Sequence, residues 1–205
     1  MENPYATPQS LAVDDLQIPP RLTIRRMTAL LGVGLAGGAT FGALTNCING
    51  ALSPQYFRDV MDWYGPNIWL SAVGQGVLEG ICYGLVYAII FVVLIAAVSR
   101  RRCHFHTAVR YARHTFSLAL GFWLLGGTIA VGFAWLLPHL CDPRFFGNQI
   151  AWPAIARYAW VRGSIWGEIY GGLTSVFLTN AIYAIRHRPA DLIESDSVKV
   201  DLYHG

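Results

Sequence analysis

Residues 69–98 read WLSAVGQGVLEGICYGLVYAIIFVVLIAAV, and from Ile68 to Ser99 the only acidic or basic side chain is Glu79. At about 1.5 Å rise per residue, some 20 residues already cross a hydrocarbon core, so this stretch is long enough to span a membrane. Gly76, Gly80 and Gly84 recur at every fourth position, which places them on one side of a helix. Such rows let another backbone come close where lipid supplies no hydrophobic drive between helices. Glu79, set among these glycines, is expected beside a helix-helix contact.

The composition agrees with a lipid environment. Of 205 residues, 54% are apolar and 13% charged, against about 25% charged in a soluble domain. Seven Trp and ten Tyr cluster near the ends of the apolar runs, as amphipathic rings do at headgroup level. Trp63, Tyr64 and Trp69 form one such group, and Trp152, Tyr158 and Trp160 another. Cys47, Cys82, Cys103 and Cys141 form no spaced pair, so neither a disulfide framework nor a zinc knuckle is implied.

Four spans are expected, at about 27–51, 68–98, 114–137 and 157–185. Residues 1–23, with Pro4, Pro8, Pro19 and Pro20, read as a flexible leader, and 189–205 as a polar tail. The first apolar run begins late and is too long for a signal-peptide core, so it reads as an uncleaved insertion signal. Arginine placement gives the orientation. Arg21, Arg25 and Arg26, then Arg100, Arg101, Arg102, Arg110 and Arg113, then Arg186 and Arg188 outweigh Arg58, Arg144 and Arg157 in the other connections. The positive-inside rule puts both termini and the middle loop in the cytoplasm.

The two halves look alike. Ser53-Pro54-Gln55-Tyr56-Phe57 follows the first span as Asp142-Pro143-Arg144-Phe145-Phe146 follows the third. Each leads to a helix opened by an aromatic and striped with glycines: Trp69 with Gly76, Gly80 and Gly84, and Trp160 with Gly163, Gly167 and Gly171. Matching the tryptophans pairs Gly76 with Gly167; matching the glycines in order pairs it with Gly163. Both registers stay open. The fold class expected is all-α, an integral membrane four-helix bundle of two helical hairpins related as parallel repeats, a plan seen in some transporters.

The segment Asn3-Pro4-Tyr5-Ala6-Thr7-Pro8, with Ser53 to Phe57, Gly74 to Gly80 and Tyr158 to Gly167, resembles a family of small multi-pass membrane proteins of bacteria that begin with an Asn-Pro-Tyr-x-x-Pro tag. The resemblance implies a place in the bacterial cytoplasmic membrane. It implies no activity and no cofactor.

Chemistry centres on Glu79 and Glu168, each about ten residues inside the same end of its span. An intramembrane carboxyl group faces the bundle interior and finds a partner or holds its proton. Gln75 and Tyr83 share a side with Glu79, and Asn46, Asn49 and Arg162 are further polar candidates. One reading is a proton- or cation-binding pair in a small transporter or channel subunit. The other is interhelical hydrogen bonding in a non-enzymatic protein that assembles with itself or a membrane partner through its glycine rows (Gly34, Gly38, Gly42; Gly76, Gly80, Gly84; Gly163, Gly167, Gly171). The second is the leading expectation. Cys103, His104, His106 and His114 match no strong metal spacing, and the basic loop they occupy suits anionic headgroups. No Ser-His-Asp or paired-carboxylate pattern suggests a hydrolase, and a basic cluster that adjoins a span does not suggest nucleic-acid binding.

Overall fold

A computed structural model describes residues 22–137 and 152–187. These residues form five helices and no strand: α1 (Ile24–Leu52), α2 (Pro54–Met61), α3 (Ile68–Val98), α4 (Phe105–Leu136) and α5 (Trp152–Arg186). Helices α1, α3 and α4 are each long and apolar enough to cross a membrane, which is compatible with a multi-pass membrane protein. α3, with 31 residues, is about 46 Å long at 1.5 Å per residue, close to the full thickness of a bilayer with its headgroups. α5 is longer still, at 35 residues, but Ser164, Glu168, Thr174, Ser175, Thr179 and Asn180 make it more polar.

Local chemistry sets the helix ends. Thr23 caps α1 by accepting from the Arg26 amide. α3 follows Pro66 and Asn67, and runs out at Ser99 into a turn where Arg100 and Arg101 take positive φ. That turn is held by the Arg101 amide on the Ala96 carbonyl at 2.8 Å, and the Leu22 amide reaches the Arg101 carbonyl at 2.7 Å. α4 stops at Leu136, with Leu137 at non-helical angles (φ −131°, ψ 59°), because the residue ahead of a proline avoids helical backbone angles.

Glycine contacts define the packing of the long helices. A Cβ placed on Gly42 would strike the Gly76 carbonyl, one on Gly38 the Gly80 carbonyl, and one on Gly34 the Ala88 side chain. The reverse holds too: a Cβ on Gly76 would meet the Gly42 carbonyl and one on Gly80 the Gly38 carbonyl. α1 and α3 therefore touch backbone to backbone over about three turns. α4 and α5 approach in the same manner at fewer points. Gly126 faces the Gly163 carbonyl and Gly167, Gly167 faces the Phe122 carbonyl, and Gly171 lies under the Phe122 ring.

The two pairs share a direction. At one end Leu30 of α1, Phe91 and Ile95 of α3, Tyr111 of α4 and Tyr183 of α5 form one apolar cluster with Leu22 and Cys103. At the other end α2 lies across the starts of α3 and α5, with Tyr56 and Phe57 packed among Ile68, Ala72, Tyr158 and Val161. α3 and α5 thus run one way and α1 and α4 the other. Between the pairs, the Tyr87 hydroxyl of α3 donates to the Ile169 carbonyl of α5 at 2.7 Å.

Polarity is distributed opposite to that of a water-soluble domain. Thr45, Asn46, Asn49, Ser164, Ser175, Thr179 and Asn180 are buried, while Leu78, Val93, Phe133, Trp135, Tyr170 and Phe177 are among many large exposed apolar side chains. So many large apolar side chains left exposed mark contact with lipid or another apolar partner. Trp69, Trp135, Trp152 and Tyr64 are exposed toward the α2 end, as expected of an interfacial belt.

Three expectations change in detail. Residues 52–67, read as a loop, contain α2, which Pro54 opens as a first-turn residue and which Tyr56 and Phe57 anchor. The third long helix begins at Phe105 rather than 114, because His106, Arg110 and Arg113 occupy its first turns instead of a loop. α5 starts at Trp152, with Pro153 in its first turn. The leader up to residue 21, Cys141, the 142–146 motif and the polar tail lie outside the described residues.

The glycine contacts predict an asymmetry in substitutions. Gly80→Ala should lower the thermal stability of the detergent-solubilised protein by an amount corresponding to about 1–3 kcal/mol of overpacking. Gly74→Ala, where an added Cβ meets nothing within 4 Å, should leave it unchanged or slightly raised. Equal effects of the two would contradict the packing.

Candidate functional site

The polar residues of the interior collect in a layer nearer the α2 end. α1 brings Thr45, Asn46 and, one turn on, Asn49, all buried. These residues continue the glycine row of α1 at the point where its polar side chains can no longer be turned to lipid at low cost. α3 brings Gln75 and Glu79, with the Gln75 amide donating to the Glu79 carboxyl at 2.8 Å. α5 brings Ser164, with no exposed surface, and Glu168 one turn on.

Across the helices, the Ser164 hydroxyl bonds the Asn49 side-chain oxygen at 3.2 Å and also its own helix at the Val161 carbonyl. Asn49 donates to Asn46 at 3.5 Å. The Glu168 carboxyl lies beside Thr45 and within electrostatic range of Glu79, while the Thr45 hydroxyl donates to the Phe41 and Gly42 carbonyls of its own helix. Tyr83 feels both carboxyl groups. Its ring stacks on Tyr87 at 6.0 Å.

Glu168 also borders a cavity of about 70 Å³. All four long helices contribute to its wall, including Phe41 of α1, Tyr83 and Tyr87 of α3, Phe116 of α4 and Glu168 of α5. The lining is mostly apolar. Glu79 is not part of it and sits beside it, bound to Gln75. Arg162 is on neither side of the carboxyl pair. It is exposed on α5 and lines an open groove between α4 and α5.

The sequence-derived candidates are thus partly assembled. Gln75 and Glu79 are joined, Asn46 and Asn49 are joined, and Glu79 and Glu168 are neighbours. Tyr83 stands by the carboxyl groups, and Arg162 faces outward. Thr45, Ser164, Tyr87 and Tyr56 were not singled out as site residues. For Thr45 and Ser164 the signal was present in the apolar periodicity, since both fall on the inward row of their helices.

At the α2 end, Tyr56 is buried against Tyr158 with ring centroids 5.3 Å apart. Burial pushes its phenol above the ordinary value of 10.0, with the Arg162 charge pulling the other way and Glu79 adding to the rise. Near the opposite end, Cys103 is buried in the turn between α3 and α4, and burial raises its thiol as well. Among the described residues, no group of three His, Cys, Asp or Glu side chains is placed to hold a metal, and Cys47, Cys82 and Cys103 are free thiols.

No protein-family model, no curated protein and no solved structure matches the chain.

A raised native-state phenol stabilises the fold while it stays neutral. The contribution of Tyr56 should therefore be complete below pH 10 and be lost as the pH climbs through its higher native value. Thermal unfolding followed from pH 8 to 12 should show a smaller alkaline loss in Tyr56→Phe than in the unaltered protein. Identical alkaline profiles would contradict the assignment.

Proposed function

We propose that the chain is a non-enzymatic, proton-linked membrane protein, a small transporter or channel subunit whose working group is the carboxyl of Glu168 with Glu79 as its neighbour. Four spans, α1, α3, α4 and α5, cross the bilayer as two like-oriented hairpins with both termini in the cytoplasm. The arginines beside the end opposite α2 support that orientation. The family with the Asn-Pro-Tyr-x-x-Pro tag, resident in bacterial cytoplasmic membranes, fits this plan.

The observation that carries the reading is the position of Glu168 on a cavity walled by all four long helices. The hairpins are packed by glycine backbones, which require no carboxyl group. Assembly with another chain through the glycine rows has less support, because Gly34, Gly38 and Gly42 already face Gly76, Gly80 and Gly84 within the chain.

The chemistry of the lining favours a proton over a metal ion. A hard cation such as calcium takes about six to eight oxygen ligands. Here the Tyr87 hydroxyl is engaged by Ile169 and the Thr115 hydroxyl by Tyr111, leaving the carboxyl with few helpers. A cavity of about 70 Å³ has room for water, enough to bring a proton to Glu168 or take one away. Glu79, within electrostatic range of Glu168 and bonded to Gln75, is a second carboxyl station beside the cavity.

Proteoliposomes holding the purified protein and an internal pH dye should equalise an imposed pH step faster than protein-free vesicles. Glu168→Gln should reduce the rate to that of empty vesicles, and Glu79→Gln should slow it. Equal rates in protein-containing and empty vesicles, with the protein shown to be inserted and folded, would rule out proton linkage.

A further inference from the structure

The groove between α4 and α5 is separate from the Glu168 cavity and opens outward, with a volume of about 690 Å³. Its walls are Leu125, Ile129 and Phe133 of α4 and Trp166 and Tyr170 of α5, all strongly exposed. Gly126, Gly163 and Gly167 form its floor, where the two backbones meet. The first hairpin differs at the matching position. Gly38 and Phe122 make equivalent contacts, since their carbonyls face Gly80 and Gly167 respectively, and Phe122 raises a ring where Gly38 has none.

A volume in this range is that of a small-molecule site, and the groove contains one charge, Arg162. Val161, the residue before Arg162, packs with Tyr56 and Phe57 of α2, so Arg162 stands at the α2 end of the groove, the end where Trp69, Trp135 and Trp152 are exposed. Aromatic side chains of that kind sit at headgroup level, and the long Arg162 side chain can extend to it.

We infer that the groove between α4 and α5 binds one anionic phospholipid, with an acyl chain along its apolar length and the phosphodiester on the Arg162 guanidinium. A planar guanidinium offers paired donors that match phosphate oxygens. The bilayer is the medium against this face, so an acyl chain is at hand to fill the groove, and the charge at its α2 end selects the headgroup. This rests on the reading of α5 as a membrane span.

The test is native mass spectrometry of the full chain extracted in mild detergent and titrated with phosphatidylglycerol or phosphatidylcholine. The unaltered protein should retain one phosphatidylglycerol in preference to phosphatidylcholine by about fivefold, the factor equivalent to ~1 kcal/mol for one basic residue at a membrane surface. Arg162→Gln should remove the preference, and Arg162→Lys should restore part of it. Ile129→Trp, which fills an exposed part of the groove, should reduce retention of both lipids with thermal stability unchanged. The inference is overturned if Arg162→Gln keeps the full preference or if Ile129→Trp retains lipid as before. It is also overturned if the groove proves to hold a helix of a second copy, seen as a dimer that Ile129→Trp abolishes. Release of the chain from membranes by carbonate without detergent would sink the membrane reading itself, whereas retention without headgroup preference would sink only this site.

Discussion

The structure depends on the contact of one helix backbone with another through glycine. At Gly42 and Gly76, and again at Gly38 and Gly80, each helix offers its carbonyl to the space where the other would carry a side chain. In lipid there is no hydrophobic gain from burying apolar side chains between helices, so association relies on dispersion and on the shape that allows close approach. Small residues supply that shape. The approach also fixes the rotation of each helix, because the glycine row must face inward.

Rotation then decides where polarity goes. On α1 the row Gly34, Gly38 and Gly42 continues into Thr45, Asn46 and Asn49, so the face that packs by backbone over three turns becomes the face that bonds by side chain. On α5, Ser164 and Glu168 lie beside the glycines that meet α4, and are turned toward α1 and α3 instead of lipid. The bond between Ser164 and Asn49 and that between Tyr87 and Ile169 join the two pairs across a junction where glycines meet rings, Gly37 on Phe116 and Gly172 on Tyr87, and not another backbone. Interhelical hydrogen bonds in a membrane are worth about 0.6 kcal/mol on average. The apolar clusters at the two ends therefore contribute to the junction along with these bonds.

Much of this was legible in the residues. The long run from Ile68 to Val98 with one charge gave its helix to within a residue, and the fourfold spacing of the glycines identified which face would be buried. Less was legible where two effects compete. Residues 54–61 mix Arg58 and Asp59 with Tyr56 and Phe57, and without a neighbour to pack on, their helical period carries little weight; the starts of α3 and α5 provide that neighbour. The first turns of α4 are basic, which marks the edge of the hydrocarbon but does not end a helix. The nearness of Thr45 to Glu168 could not be read at all, since the two are 123 residues apart and the Thr45 hydroxyl satisfies itself on the preceding turn. The register of the two halves, open in the sequence, stays open in the contacts, because Gly76 on Gly42 has a counterpart both in Gly163 on Gly126 and in Gly167 on the Phe122 carbonyl.

The account turns on α5, whose polar residues are hidden and whose apolar residues face out. Spin labels placed singly along residues 163–183 in reconstituted protein, relaxed by oxygen and by a water-soluble nickel chelate, test this most directly. The account predicts oxygen peaks at Trp166, Tyr170, Phe177 and Ile182, minima at Ser164, Ser175 and Thr179, and exclusion of the nickel reagent throughout the middle of the helix. Nickel access along the outer face, or oxygen access without helical period, would contradict it.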